Sequence, residues 1–286
     1  QAIRTRLTVE ARETRTVATA PLIAKGVRFG TLSVEPDGGV NTAGVEGVDA
    51  DLIVRPFGWK GTSATLREFV SESLQLHFGV QSDELVEAHR KNPSPESVGN
   101  GTNPDDPDGD GLTHEFTERQ LTALVAFLAM QEVPVIRPPE PIYDAVPAAA
   151  NLVAPTSTRF HREWVQGQQL FKTIGCAGCH VEMLVLKSPI FRTRSAISGQ
   201  LLEIDLSRQG EVPRIQYDTQ LQGYPVWLFS DLKRHDLGQE SASRHDDHGV
   251  PPQHYLTRRL WGLAKSPPYF HDGRAPWFDH AIAAHG

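Results

Sequence analysis

The sequence predicts a mainly α-helical protein with long loops and a small β-prone portion at the N-terminus. Downstream of residue 158, short helical patterns alternate with loops that are rich in glycine and proline. Residues 1–56 instead contain β-branched stretches, among them TRTVATA and LIVRPF. One stretch in between is strongly helical, because leucine and valine recur there at helical spacing, as Leu121, Leu124 and Val125.

The same helix has a predicted start, and a proline-rich segment follows it. Thr117 and Gln120 form the pattern of a capping box, in which each side chain bonds to the backbone of the other residue. The stretch VPVIRPPEPIYDAVP that comes next indicates an extended linker. We therefore expect three parts: an N-terminal half over residues 1–132, a linker over residues 133–157 and a C-terminal domain over residues 158–286.

Composition and charge argue against two broad classes of protein. The 286 residues include 28 basic and 35 acidic side chains, which give a formal net charge of −7 at pH 7. A protein that binds nucleic acid would carry a basic surface instead. No run of about 18 consecutive apolar residues occurs, so the sequence predicts no membrane span.

Both cysteines of the chain lie in one short stretch, GQQLFKTIGCAGCHVEM, and a histidine follows the second. Three interpretations compete for Cys176, Cys179 and His180. A zinc site needs about four ligands, and no second CxxC pair exists. A redox-active dithiol would not need the histidine. The third interpretation, a covalently attached c-type haem, uses both thiols as thioethers and the imidazole as an iron ligand.

We favour haem c, because it accounts for every residue of the CAGCH sequence. The preceding GQQLFKTIG fits a short helix that ends in a turn at Gly175. The C-terminal part is then expected to be a cytochrome c-like domain with the haem as its core. Attachment of haem c also places the protein outside the bacterial cytoplasm, in the periplasm or an equivalent compartment.

The C-terminal stretch SPPYFHDGRAPWFDHAIAAHG resembles the C-terminal haem domain of bacterial di-haem cytochrome c peroxidases. FGWKG, LFSDLKRHDLG and RRLWGL are most similar to the branch of that superfamily called di-haem oxidoreductases or thiol oxidoreductases. The resemblance covers roughly residues 50–286. It implies a haem oxidoreductase that receives electrons from a small donor protein, a cytochrome or a cupredoxin.

The resemblance also implies roles for residues of the C-terminal domain. The family places a methionine or tyrosine ligand fourteen residues after the HDG histidine, and here that position is His285. The resemblance therefore implies an iron bound by His180 and His285, and a frayed residue without a ligand role is the alternative for His285. In the family the HDG histidine, here His271, lies near the haem. His271 could form a hydrogen bond at the haem edge or could simply be part of the turn, and both roles remain open. Arg259 and Arg274 are candidates for binding the haem propionates, since a guanidinium group pairs well with a carboxylate. The alternative for each is an arginine exposed to solvent.

The N-terminal half partly repeats the C-terminal stretch. FGWKGTSATLREFVSES, residues 57–73, aligns without gaps with residues 269–285. The resemblance implies that Trp59 relays electrons between two haems, and a buried core tryptophan is the alternative. His77 is a candidate acid–base group at a peroxide site, because a neutral imidazole accepts and returns a proton.

No second CxxCH accompanies this repeat, because residues 1–56 contain neither cysteine nor histidine. Family members carry such a motif upstream of the tryptophan. We expect either that the sequence is a segment of a longer protein with a second haem or that this protein has a single haem. The first case predicts a peroxidase-like enzyme, and the second predicts a non-catalytic electron-transfer subunit of a larger redox complex.

An acidic loop, NPDDPDGDGLTHEFTERQ, matches the first half of a calcium loop. Asp106, Asp108 and Asp110 alternate before a glycine, as in an EF-hand, but the closing glutamate is out of register. Calcium binding and a solvated acidic loop therefore both remain open. The resemblance alone suggests a second calcium ion, held by backbone oxygens of Ser266 and Pro268.

Overall fold

The computed structural model describes residues 2–91, 106, 109–134, 156–208, 215–244 and 248–285. Six helices lie in these ranges: α1 (Ala2–Thr14), α2 (Leu66–Phe78), α3 (Asp83–Lys91), α4 (Glu118–Ala129), α5 (Thr156–Thr173) and α6 (Phe278–Ala283). The strands are β1 (Ala18–Ala24), β2 (Val27–Val34), β3 (Val40–Asn41), β4 (Leu184–Leu186), β5 (Ile190–Arg194), β6 (Leu201–Asp205), β7 (Tyr224–Val226), β8 (Arg234–Asp236) and β9 (His254–Leu256). They form one sheet in the order β1–β2–β3 and three antiparallel pairs, β4–β7, β5–β6 and β8–β9.

The prediction of a mainly α protein is wrong, because the described residues form a mixture of helices and small sheets. Most strands downstream of the CAGCH sequence contain only three residues, such as Leu184–Leu186 and Tyr224–Val226. A strand this short is too brief for an alternation of apolar and polar residues to be recognised in the sequence. Its stability comes from pairing with a strand elsewhere in the chain. Segments that the sequence predicts as loops are therefore paired strands.

The N-terminal portion combines a helix with the three-stranded sheet. The β-prone segment TRTVATA leads into β1, as predicted, whereas residues 2–14 form α1 and LIVRPF forms no strand in this described part of the chain. Leu7 and Ala11, one helical turn apart, are fully buried with the strand residues Leu32 and Val34. Helix α1 is therefore held by its packing on the sheet, which its weakly amphipathic sequence does not reveal.

A second hydrophobic cluster joins the N-terminal sheet to the segment that follows the CAGCH sequence. Val27 and Phe29 from β2 pack with Leu184 from β4, and all three are buried. Val181, directly after the motif histidine, packs against the same cluster. The motif segment therefore lies against the sheet of the N-terminal half. The predicted linker between the halves falls mostly on residues 135–155, which lie outside the described residues.

A third cluster packs α2 against α4. Val70 from α2 lies with Leu121 and Val125 from α4, and both α4 residues are fully buried. Each of the two helices begins with a capping box, and that of α4 is the predicted pair of Thr117 and Gln120. The predicted amphipathic helix and its start are therefore confirmed.

The internal repeat that the sequence suggests is also a structural repeat. In each copy an antiparallel bridge closes a tight turn and a helix follows. Phe57 pairs with Ser63 before α2, and Tyr269 pairs with Ala275 before α6. The gap-free alignment of the two stretches equates these bridges residue by residue.

Backbone angles agree between the two copies as well. Gly61 and Gly273, at equivalent positions, have φ angles of 64° and 70°, a left-handed conformation that glycine adopts without strain. Thr65 and Trp277, the residues before α2 and α6, have φ and ψ angles of −121° and 152°, and of −126° and 155°. The chain therefore contains two copies of one turn-and-helix unit.

Replacing Leu121 with alanine should destabilise the protein by about 2–5 kcal/mol, because this fully buried side chain packs between α4 and α2. Leu76→Ala is the matched control, since Leu76 on α2 is 79% exposed. The control should change stability by no more than about 0.5 kcal/mol. Urea unfolding followed by circular dichroism measures both values, and equal effects would contradict the assignment of Leu121 to the core.

Candidate functional site

The CAGCH sequence forms a short 3-10 turn just after α5. The helix ends at Thr173, Gly175 takes a left-handed conformation with φ of 96°, and the turn covers Cys176–Gly178. The backbone N–H of His180 donates to the carbonyl of Cys176 at 2.9 Å. The predicted helix followed by a glycine turn is therefore confirmed, and the motif has a compact, hydrogen-bonded backbone.

Both thiols are free and half-buried. Burial raises the pKa of the Cys179 thiol, and the charge of Asp231 raises this pKa further. The thiolate is the reactive form of cysteine, so a raised pKa makes a thiol less nucleophilic. Cys179 is therefore not an activated thiol in this structure.

The imidazole of His180 is oriented by a backbone carbonyl. Its Nδ1 donates to the carbonyl oxygen of Phe229 at 2.8 Å, so Nε2 is the ring atom able to bind a metal ion. Burial lowers the pKa of His180, and the charge of His285 lowers it further. Hydrogen bonding to the backbone of Phe229 and Arg258 acts in the opposite direction and raises this pKa. A neutral imidazole with a carbonyl-bound Nδ1 is the usual form of a histidine ligand.

The segment that orients His180 is itself anchored on the motif. The backbone N–H of Ser230 donates to the carbonyl of Val181, and that of Asp231 donates to the carbonyl of Cys179, both at 2.9 Å. These bonds fix the position of the Phe229 carbonyl relative to the motif.

His285 lies just beyond α6 and is exposed. Its Nδ1 donates to the carbonyl oxygen of Ala281 at 2.7 Å, and its ring centroid lies 5.8 Å from that of Phe270. Nδ1 is thus bound to a backbone carbonyl in His285 as in His180, and the two imidazoles interact electrostatically. Their role as a pair of iron ligands stays a prediction.

Large apolar side chains flank both imidazoles in the sequence and are exposed. Before the thiols these are Leu170 and Ile174, and before His285 they are Trp277, Phe278 and Ile282. Their exposed fractions lie between 49% and 66%. Neither the 3-10 turn nor α6 contributes a buried residue. These side chains leave apolar surface in both stretches of chain that carry the imidazoles, and contiguous apolar surface marks a binding site for a ligand or a partner. A porphyrin offers two broad apolar faces, so the donor atoms and their surroundings both fit haem c.

His271 occupies in the second repeat the position that Trp59 occupies in the first. Its ring stacks on that of Tyr255 with centroids 4.9 Å apart, and its Nε2 lies 3.3 Å from the Tyr255 hydroxyl. The ammonium group of Lys60, next to Trp59, lies 3.8 Å from the centroid of the same tyrosine ring. Burial is the main cause that lowers the pKa of His271. His271 thus contributes to the contact between the repeats, and a haem-edge role stays a prediction.

The two arginines predicted to bind propionates differ in their surroundings. Arg259 is half-buried, burial lowers its pKa, and its guanidinium lies 5.4 Å from the centroid of Trp261. A carboxylate partner would offset the cost of burying that charge. Arg274 is more exposed and forms an ion pair of 2.7 Å with Asp272. Arg259 is therefore the better candidate for a propionate, and both assignments stay predictions.

Trp59 and His77, the residues predicted to serve a second haem, both lie at the surface. The Trp59 side chain is 44% exposed, and the guanidinium of Arg258 lies 4.2 Å from the centroid of its ring. Trp59 is therefore not a buried core tryptophan. His77 is exposed in the last turn of α2, with its ring 6.4 Å from that of Phe78.

Asp231 and His235 also lie close to the motif, and neither was predicted as a site residue from the sequence. Nδ1 of His235 lies 3.9 Å from Sγ of Cys179, and Nε2 of His235 bonds to Oδ2 of Asp231 at 2.8 Å. One ligand atom from each of the three lies within 4.8 Å of the others. Asp231 and His235 also border a cavity of about 380 Å³. Cys179 and His235 are 56 residues apart, so spacing alone could not join them.

The acidic loop is only partly within the described residues. Asp106 is buried, and its carboxylate accepts backbone N–H groups of Gly109 at 2.9 Å and Gly111 at 3.0 Å. Asp110 accepts a backbone N–H two residues further on, and Asp108 lies outside the described residues. These bonds shape the loop, and calcium binding stays a prediction.

The second predicted calcium site lies directly before the C-terminal repeat. Ser266 is exposed, and its hydroxyl donates to the carbonyl of Gly262 at 2.9 Å. Pro268 is exposed and precedes the bridge residue Tyr269. Their backbone oxygens as calcium ligands stay a prediction.

No protein-family model, no curated protein and no solved structure matches the chain. The family resemblance and the haem therefore stay predictions. None of the helices in the described part of the chain combines the length and the apolar character needed to cross a bilayer.

Asp272 should titrate with a pKa of about 2, because its carboxylate is hydrogen-bonded by Arg274. A lowered carboxyl pKa means that the pair stabilises the folded state above the ordinary pKa of 3.8 and that this effect is lost as the pH falls through about 2. Carboxyl-detected NMR titration measures the midpoint, and Arg274→Gln should move it back towards 3.8. An unchanged midpoint in Arg274→Gln would show that another group sets the pKa.

Proposed function

We propose that this chain is an extracytoplasmic c-type haem oxidoreductase of the di-haem peroxidase type. Cys176 and Cys179 tether the porphyrin, and His180 and His285 bind the iron. When bound, haem c supplies one-electron redox chemistry. The observation that carries the proposal is the donor set: two free thiols three residues apart, followed by an imidazole whose Nδ1 is already bound to a carbonyl.

The residues of the chain orient this donor set. The carbonyl of Phe229 fixes the ring of His180 and makes its Nε2 a better electron donor to a metal, and the carbonyl of Ala281 does the same for His285. Two imidazole ligands stabilise ferric iron better than an imidazole and a thioether, so a low reduction potential is expected. The exposed apolar side chains beside both histidines would exclude water from the porphyrin faces.

Electrons would enter singly from a small soluble redox protein, a cytochrome or a cupredoxin. Trp59, whose ring is exposed, would pass electrons from the haem site of His180 and His285 to a second haem. In the enzyme form a second haem would supply the peroxide chemistry, and His77 would be the group that takes a peroxide proton and returns it to the leaving oxygen. In the alternative form the chain is a non-catalytic mono-haem electron carrier within a larger redox complex.

One competing function is favoured by a specific observation. Cys179, Asp231 and His235 could bind a divalent metal ion such as zinc, since their ligand atoms lie within 4.8 Å of one another. The sulfur of Cys179 cannot be both a thioether and a metal-bound thiolate, so the two functions exclude each other. The metal site uses only one residue of the CAGCH sequence, whereas haem c uses both thiols and the histidine.

Produced in a bacterial periplasm that matures c-type cytochromes, the protein should carry covalent haem, because both thiols are free to form thioethers. Pyridine haemochrome absorption and a haem stain on a denaturing gel measure it. The double variant Cys176→Ala, Cys179→Ala should lose the stain, whereas His235→Ala should keep it. A colourless protein that holds zinc, and loses it in His235→Ala, would establish the metal site instead.

His285→Ala should convert a low-spin ferric spectrum to a high-spin one, because the iron loses one of its two imidazoles. His280→Ala is the matched control, since His280 is another exposed histidine of the α6 region. Electronic absorption and electron paramagnetic resonance of the oxidised protein report the change. A low-spin spectrum that persists in His285→Ala would identify a different second ligand, and peroxide turnover by the parent protein separates the enzyme from the carrier.

A further inference from the structure

The second copy of the turn-and-helix unit holds a phenylalanine in a backbone conformation that glycine usually takes. Phe270 lies in the tight turn before α6 and has a φ angle of 68°. A positive φ is strained for a bulky residue, because its Cβ comes too close to a backbone carbonyl oxygen. Neighbouring bonds hold the turn in this shape, since Tyr269 pairs with Ala275 and the N–H of Gly273 donates to the carbonyl of Phe270 at 3.3 Å.

The first copy shows that the turn itself needs no side chain at this position. The gap-free alignment of the copies equates Phe270 with Gly58, whose φ angle is 79°. Glycine adopts this left-handed conformation without strain. The two copies therefore share the backbone conformation, and only the second combines it with an aromatic ring.

The ring of Phe270 packs against the imidazole of His285. The two ring centroids lie 5.8 Å apart, with an angle of 34° between the planes. Phe270 belongs to none of the three hydrophobic clusters in the described part of the chain, so core packing does not account for its ring. The first copy, with Gly58 in the turn, has Ser73 at the position of His285. The strained phenylalanine thus occurs in the copy that carries the imidazole.

Two contacts together determine the orientation of His285, although this residue is exposed. The carbonyl of Ala281 accepts the Nδ1 proton at 2.7 Å, which leaves Nε2 for a metal ion. That single hydrogen bond still allows the ring to pivot about it, and the contact with Phe270 restricts the pivoting. A side chain that is already ordered loses less conformational entropy when it binds.

We propose that Phe270 is a positioning residue for His285 and that it sets the plane of this imidazole at the iron. The inference rests on the proposed haem function. In this role Phe270 acts through His285 rather than on the iron itself. Loss of the Phe270 ring should therefore loosen the bond between His285 and the iron without removing either iron ligand.

Phe270→Gly gives the second copy the residue of the first and tests the proposal directly. In the haem-loaded ferric protein, added cyanide should displace His285 about two- to tenfold faster, as expected for the loss of one aromatic contact. The g values in electron paramagnetic resonance depend on the planes of both imidazoles, so they should shift as the His285 ring is freed. Phe270→Tyr, which keeps an aromatic ring, should retain the rate and the g values of the parent.

Arg15→Gly is the matched control for the relief of backbone strain. Arg15 directly follows α1, is exposed and has a φ angle of 55°, so glycine relieves the same kind of strain there. Helix α1 carries no candidate iron ligand. Arg15→Gly should therefore leave the cyanide rate and the g values unchanged.

Equal rates and equal g values for Phe270→Gly and its parent would overturn the proposal. An equal acceleration in Arg15→Gly or in Phe270→Tyr would also overturn it, because the ring would then not be the cause. Failure of the proposed function has a different signature. In that case the parent carries no covalent haem, or His285→Ala keeps a low-spin spectrum, and either result would overturn both proposals.

Discussion

The geometry of the site depends on backbone hydrogen bonds between two segments that are distant in sequence. Residues 229–231 run beside residues 179–182, and one product of this pairing is the bond between the Phe229 carbonyl and Nδ1 of His180. Leu228 and Leu232, on either side of the first segment, pack against the cluster formed by β2 and β4. The hydrophobic contact with the N-terminal sheet therefore supports the hydrogen-bonded segment that orients the motif histidine, and the two predicted halves are in contact at this point.

The two copies of the turn-and-helix unit differ in one candidate ligand and in how their helices are packed. The position of His285 in the second copy is occupied by Ser73 in the first, so only the second copy offers an imidazole there. Helix α2 of the first copy is packed against α4, whereas α6 of the second contains no buried residue. The first copy thus has a protein core of its own, and the second leaves its apolar side chains exposed.

Features that depend on neighbouring residues could be predicted from the sequence. The capping box at Thr117, the buried stripe that includes Leu121 and the glycine turn at Gly175 each depend on residues within about one or two helical turns of one another. The gap-free repeat was also visible, because its spacing of turn, glycine and helix is fixed by backbone geometry.

Features that depend on contacts between distant residues could not be predicted from the sequence. Three-residue strands such as β4 and β7 exist only as pairs, so the mainly α prediction missed them. Helix α1 is stabilised by burial of Leu7 and Ala11 on a sheet that follows it. His235 reaches Cys179 only through the fold. Each of these depends on tertiary packing that overrides a weak local preference.

The central claim is that one chain carries a porphyrin bound covalently through Cys176 and Cys179. Intact mass spectrometry of the denatured protein, isolated from a host that matures c-type cytochromes, tests it most directly. The expected result is the mass of the chain plus one haem, with both thiols resistant to alkylation. The mass of the bare chain, with two thiols that alkylate, would contradict it.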